Sequence, residues 1–274
     1  MKYCRFLYGG QTLYGTVVDK RGGDLRIAML ADPPDEDFAF KLEHVGKPAW
    51  SSDFSPIALS EADLLSPVTP QKIICVGRNY REHASELGNQ IPSEPLIFFK
   101  PPSSLLRPGG VVRLPAVSER VDFEGELAVV IGRRTRNFKP DGEWREVVRG
   151  FTLANDITAR DLQKKDAQWT RAKGFDTFCP VGPLVSDELD IEAGVTLETR
   201  VNGELRQHAS TRDLIFSIPV LLSYISAAFT LEPGDLILTG TPSGVGPLKP
   251  GDRVEVTIAG LGTLTNTVAA DDAA

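Results

Sequence analysis

Three carboxylates stand two residues apart at Asp122, Glu124 and Glu126, immediately before the apolar run Leu127-Ala128-Val129-Val130-Ile131. In an extended chain that spacing puts them on one face. Carboxylates so close repel one another and resist burial unless something cationic neutralises them, and a divalent ion is the simplest answer. A further acid, Asp156, ends the apolar run Phe151-Thr152-Leu153-Ala154-Asn155, where a helix-like segment starts. Glu124, Glu126 and Asp156 would supply carboxylate oxygen and no soft ligand, which suits Mg²⁺, Mn²⁺ or Ca²⁺ rather than Zn²⁺. The competing reading is an exposed edge strand with a solvated acidic face, and Asp156 as a helix N-cap.

Asp156, Arg160 and Gln163 stand at i, i+4 and i+7, the spacing of one helical face. A guanidinium beside a metal resembles a receptor for a small oxo acid, because arginine grips carboxylates through two parallel hydrogen bonds. An internal Asp156–Arg160 salt bridge would use the same spacing. Lys173 precedes the aromatic, glycine-containing turn Gly174-Phe175-Asp176-Thr177-Phe178, where it would approach a ligand or simply end a helix. His83 and Glu86, at i and i+3, form an acid/base pair in which the carboxylate orients the imidazole and the imidazole takes a proton from water or substrate. The alternative is a surface pair; His44 and His208 have no comparable company. In Thr239-Gly240-Thr241-Pro242-Ser243-Gly244-Val245-Gly246 the glycines would let backbone N–H groups reach an anion, but the GK[ST] ending of a P-loop is missing.

The elements that must carry these groups are mostly strands, expected at 73–76, 96–99, 126–131, 151–155, 197–201, 235–239 and 253–258. Helices are expected at 80–87, 159–173 and 217–229, the last with Pro219 in its first turn. Asn202-Gly203 between two β-prone runs predicts a two-residue hairpin. Short alternating runs punctuated by Gly9-Gly10 and Gly22-Gly23 predict a small β-rich domain over residues 1–66, and the prolines at 67 and 70 mark its boundary with a larger domain over 67–274. The fold class is α+β with β in excess.

The chain has 274 residues, 41 % of them hydrophobic, with 30 Lys+Arg against 37 Asp+Glu for a net charge of −7. That is a globular composition, and an acidic chain without basic runs has no electrostatic reason to follow a phosphate backbone. No uncharged apolar stretch of about 20 residues suggests a membrane span, and the N-terminus reads straight into strand-like sequence, so the cytoplasm is the expected location. Cys4, Cys75 and Cys179 are odd in number and widely spaced, which fits buried thiols rather than a disulfide framework or a zinc site.

Taken together, Cys75-Val76-Gly77-Arg78-Asn79-Tyr80 with His83 and Glu86, Asp122-Phe123-Glu124-Gly125-Glu126-Leu127, Asn155–Asp161, Lys173–Thr177 and Leu238–Gly246 resemble the fumarylacetoacetate hydrolase superfamily, in family order. The resemblance covers about residues 70–268 and implies that superfamily's mixed β core, a homodimer and one Mg²⁺ or Mn²⁺ per subunit on Glu124, Glu126 and Asp156. It implies 2-oxo or 2,4-dioxo acid substrates, with Lys173 as active-site lysine, Thr241 at the substrate carboxylate, Arg160 and Gln163 lining the pocket, and His83 with Glu86 activating water under a lid. Asp122 would support the first metal ligand from behind. Where larger hydrolases of the superfamily bring a fourth acidic ligand, this chain has Arg78-Asn79-Tyr80, so a water would take that position. The implied reaction is hydrolysis of the C–C bond of an acylpyruvate-type acid, in catabolism of aromatic compounds or sugar acids. The alternative is decarboxylation or tautomerisation of a 2-oxo acid, such as oxaloacetate or 2-hydroxyhepta-2,4-diene-1,7-dioate, on the same site.

Overall fold

Runs without polar alternation become strands buried on both faces. In the computed structural model, which describes residues 1–20, 24–31, 55–82 and 92–271, every residue of the Gly125–Ile131 strand is buried. It pairs antiparallel with Val148–Asn155 on one side and with Leu236–Leu238 on the other. The exposed-edge reading of the acidic segment therefore fails: both flanks are occupied, and Glu124 and Glu126 are 4 % and 1 % exposed.

These strands lie in a twelve-stranded mixed sheet. Beyond Leu236–Leu238 come the parallel strand Ile73–Gly77 and then Leu96–Lys100. On the opposite side, Val148–Asn155 is followed by Cys179–Ser186, Lys2–Tyr8, Gln11–Lys20, Asp24–Ala31 and Ile57–Ala58. The N-terminal strands continue the same sheet, joined through Lys2 opposite Ser186 and Tyr3 opposite Val185. Their apolar faces merge with the main core, where Phe6, Val17 and Ile27 share one cluster with Leu127, Val129 and Leu153. A five-stranded sheet carries the Thr196–Val201 and Glu204–Ser210 hairpin, whose Asn202 and Gly203 both take the positive φ (54° and 82°) that a tight two-residue turn requires. A three-stranded sheet joins Thr158–Ala159, Val121–Phe123 and Gly246–Pro247.

All seven expected strands in the larger domain form, most with ends shifted by a residue or more. The long Cys179–Ser186 strand was not among the expected ones, and it contains Pro180, Gly182 and Pro183. Its ladder is irregular there, with a register shift against Val148–Asn155. The single helix expected over 159–173 is two short helices, Arg160–Lys165 and Thr170–Gly174, with Thr158 and Ala159 in a strand. The 217–229 helix spans Ile218–Ala228. The expected 80–87 helix and the Gly22-Gly23 turn fall largely outside the described residues, and so do His44, His83 and Glu86. All three cysteines are buried free thiols, and burial pushes Cys4 and Cys179 up to about 12.

Candidate active site

The chain changes sheets at Glu124. Val121–Phe123 belongs to the three-stranded sheet and Gly125–Ile131 to the large one, so the three acids do not share one uninterrupted strand face. The corner is pinned on both sides: the Glu124 N–H donates to the Asn155 side-chain carbonyl (2.9 Å), and the Gly125 N–H to the Gln207 side chain (3.0 Å). Asp156 follows directly on the neighbouring strand, its N–H bonded to the Glu124 carbonyl (2.8 Å). Carboxylate oxygens of Glu124, Glu126 and Asp156 consequently lie within 4.8 Å of one another, all buried. Asp156 does not cap the Arg160–Lys165 helix, whose N-cap is Ala159.

Four buried carboxylates, counting Asp122, meet three buried cations. The Lys173 ammonium donates to Glu124 Oε2 (2.8 Å) and Asp156 Oδ2 (2.6 Å). Arg160 donates through Nε to Asp122 (3.0 Å), through Nη2 to Glu124 Oε1 (2.5 Å) and through Nη1 to Gln163 (2.7 Å). The expected Asp156–Arg160 facing is therefore corrected: Asp156 lies before the helix starts, so the i, i+4 geometry never arises. Arg160 holds Asp122 and Glu124 instead and links the two acids. Lys100, which sequence reasoning missed, donates to Asp156 Oδ1 (2.7 Å) at 1 % exposure. The one available signal was a lone lysine ending the apolar run Leu96–Phe99.

Glu126 is the exception. Its described hydrogen bond comes from the Gly240 N–H at 2.6 Å, and it has no ion pair among the described residues. Burial, followed by the neighbouring Asp156 and Glu124 charges, pushes its carboxyl well above the usual range, with Lys173 and the Gly240 N–H acting in the opposite sense. A buried all-oxygen triad left short of positive charge at one member fits a hard divalent cation, and each bonded carboxylate oxygen keeps a further lone pair to offer one.

The backbone of the glycine loop does meet an acidic group, and that group is Glu126. Gly240 sits at φ +102°, and a Cβ there would come within 2.8 Å of the Asn79 Cβ and 3.1 Å of the Val76 carbonyl. Gly240→Ala is expected to cost about 1–3 kcal/mol in chemical denaturation and to weaken activity, since the loop must shift away from Glu126. Next to it, Thr241 lines the cavity with its hydroxyl donated to the Gly125 carbonyl (2.9 Å) while accepting from Gln207 (2.8 Å).

The cavity over these groups measures about 310 Å³ and is lined by the three acids, Arg160, Gln163, Lys173 and Thr241, with Phe98 and Trp169 as an aromatic wall, edge to face at 5.3 Å. The structure thus brings seven of the nine expected site residues to one cavity; His83 and Glu86 lie outside the described residues. Among the described residues no helix is long and apolar enough to cross a membrane.

Comparison with known proteins bears on this site. The model of the fumarylacetoacetate (FAA) hydrolase C-terminal family matches residues 72–269. Oxaloacetate tautomerase YisK of Bacillus subtilis is 47 % identical over 226 residues, covering 77 % of this chain and 74 % of that protein. The mitochondrial oxaloacetate decarboxylase of Dictyostelium discoideum is 47 % identical over 201 residues, 71 % of this chain and 92 % of that one. The crystal structure of 2-hydroxyhepta-2,4-diene-1,7-dioate isomerase from Mycobacterium marinum superposes with a TM-score of 0.84 at 38 % identity, covering all of both chains. Family model, fold and full-length superposition agree: this chain belongs to the fumarylacetoacetate hydrolase family.

Proposed function

We propose that the protein interconverts the keto and enol forms of a small 2-oxo acid of the oxaloacetate kind, with a divalent cation on Glu124, Glu126 and Asp156. The observation that carries this reading is the Lys173 ammonium shared by Glu124 and Asp156 at the floor of a small, aromatic-walled cavity. Bound there, Mg²⁺ or Mn²⁺ would supply Lewis-acid charge at the 2-oxo oxygen. Burial alone would weaken the basicity of Lys173, but the Asp156 and Glu124 charges outweigh it and hold the side chain as ammonium well above its ordinary range. Held between Glu124 and Asp156, Lys173 is positioned to donate a hydrogen bond toward the oxygen on which enolate charge grows. Arg160 uses three of its five N–H donors on Asp122, Glu124 and Gln163, which fixes the guanidinium while leaving donors for a substrate carboxylate. Phe98 and Trp169 keep water from the enolate. In this proposal His83, oriented by Glu86, moves the proton at the carbon next to the oxo group, and the enzyme works as a homodimer.

Decarboxylation of the same acid passes through the same enolate, and the Dictyostelium relative supports it as the second reading. Hydrolysis of a 2,4-dioxo acid, the first expectation from the sequence, has less support, since these named relatives fall on the tautomerase, isomerase and decarboxylase side. The test follows the ultraviolet absorbance of enol-oxaloacetate together with pyruvate release, with Mg²⁺, Mn²⁺ or EDTA, beside a panel of acylpyruvates. Metal-dependent acceleration of tautomerisation ahead of pyruvate release is the expected result. Pyruvate formed as fast as the enol decays would make the enzyme a decarboxylase, cleavage of acylpyruvates alone would restore the hydrolase, and no turnover of any of them would remove the proposal.

A further inference from the structure

We infer that Arg78 binds a second, distal carboxylate of the substrate, so that the site selects 2-oxo dicarboxylates over 2-oxo monocarboxylates. This rests on the 2-oxo acid reading above. Arg78 follows the Ile73–Gly77 strand and lines the cavity beside the acidic triad and Thr241. Its backbone takes φ +58°, a left-handed conformation that costs a non-glycine residue energy and persists only where the surroundings impose it. Here they do. The fully buried Asn79 is anchored by its side-chain amide to the carbonyls of Thr239 (2.8 Å) and Phe216 (3.2 Å), and it accepts from the Phe216 N–H (2.7 Å). Its carbonyl accepts from the Ile215 N–H (2.8 Å).

The other cations of the cavity differ from Arg78 in what they hold. Lys173 is committed to Glu124 and Asp156, and Arg160 to Asp122, Glu124 and Gln163. Lys164 also lines the cavity but is exposed at the end of its short helix. Arg78 is only half-exposed, yet among the described residues it makes no hydrogen bond or ion pair. A partly desolvated guanidinium with its donor fork open is a carboxylate receptor in search of its anion. With the carboxylate and 2-oxo group of a substrate engaged at the triad, Lys173 and Arg160, a second carboxylate is the group that would complete Arg78.

Two unreactive 2-hydroxy acids test this by calorimetry on the Mg²⁺-loaded full chain: malate carries the distal carboxylate, and lactate has a methyl group in its place. Wild type is expected to bind malate about 10- to 100-fold tighter than lactate, the scale of one charge-assisted pair. Arg78→Gln should bring malate to the lactate level, Arg78→Lys should restore part of the difference, and Lys164→Gln should keep it, with melting curves confirming that each variant is folded. No preference in wild type, a preference that survives Arg78→Gln, or one lost instead in Lys164→Gln would overturn the assignment. Binding of neither acid would overturn it together with the 2-oxo acid reading. A malate preference in a protein that fails to tautomerise oxaloacetate would discard the reaction and leave the role of Arg78 standing.

Discussion

Glu126→Gln is expected to lower activity by roughly 10³-fold or more while leaving the metal-free protein at least as stable as wild type. The two halves of that expectation have one cause. Glu124 and Asp156 are each neutralised inside the protein, by Arg160 with Lys173 and by Lys100 with Lys173, whereas Glu126 has the Gly240 N–H and no ion pair among the described residues. Burying a charge without a partner costs several kcal/mol. Glutamine keeps the hydrogen bond from Gly240 and removes the charge, so the fold loses nothing by the exchange, while the triad loses the carboxylate whose charge is least used. The discriminating measurement is thermal unfolding against Mg²⁺ or Mn²⁺. Wild type should gain about 2.7 kcal/mol at a hundredfold excess over the dissociation constant and lose it in EDTA. The variant should show almost no metal-dependent gain and an EDTA baseline equal to or above that of wild type. A variant that is less stable in EDTA yet still stabilised by metal would mean that Glu126 is a structural acid and the cation is held elsewhere.

What the sequence disclosed about this site, and what it withheld, follows from the range of the interactions. Acids at 124 and 126 announce themselves because carboxylates entering an apolar strand are chemically out of place, and that anomaly is local. The same holds for the Asn202-Gly203 turn, set by two residues. Which cation neutralises which acid is a different matter, decided by strands far apart in the chain. Lys100 reaches Asp156 across 56 residues and Gln207 reaches Gly125 across 82, and no spacing rule links them. The one-helix reading of 159–173 failed for a related reason. Its periodicity is helical, but Thr158 and Ala159 pair with Val121 and Asp122 and pull the start of the segment into a sheet. That tertiary pairing is also what turns Arg160 away from Asp156 and toward Asp122.

Lys173→Met and Lys100→Met should destabilise the metal-free fold alike and yet differ by about two orders of magnitude in their effect on turnover. Each lysine is almost completely buried, and each donates to Asp156, one to Oδ2 and the other to Oδ1. Removing either lysine leaves the buried acids one positive charge short, although Asp156 keeps the other lysine and Glu124 keeps Arg160, so urea denaturation in EDTA should register a loss for both, at or below the about 3–5 kcal/mol of a buried pair broken outright. Added Mg²⁺ should recover part of it, because a bound cation would supply the missing charge. Activity separates them by position. Lys173 lines the cavity and spans Glu124 and Asp156, so methionine there removes a donor aimed at the developing enolate, worth about 10²–10³-fold. Lys100 is not among the residues lining the cavity; besides Asp156 it donates to the Ile157 carbonyl (3.1 Å) and lies 6.0 Å from the Phe178 ring centre. Without it Asp156 still has Lys173, and the folded, metal-saturated fraction should keep turnover within about tenfold of wild type, the size of effect seen when a group behind a metal ligand is lost. Equal losses of turnover at equal folded fraction would reduce Lys173 to a counter-charge for the acidic triad and would take the enolate-stabilising role away from it.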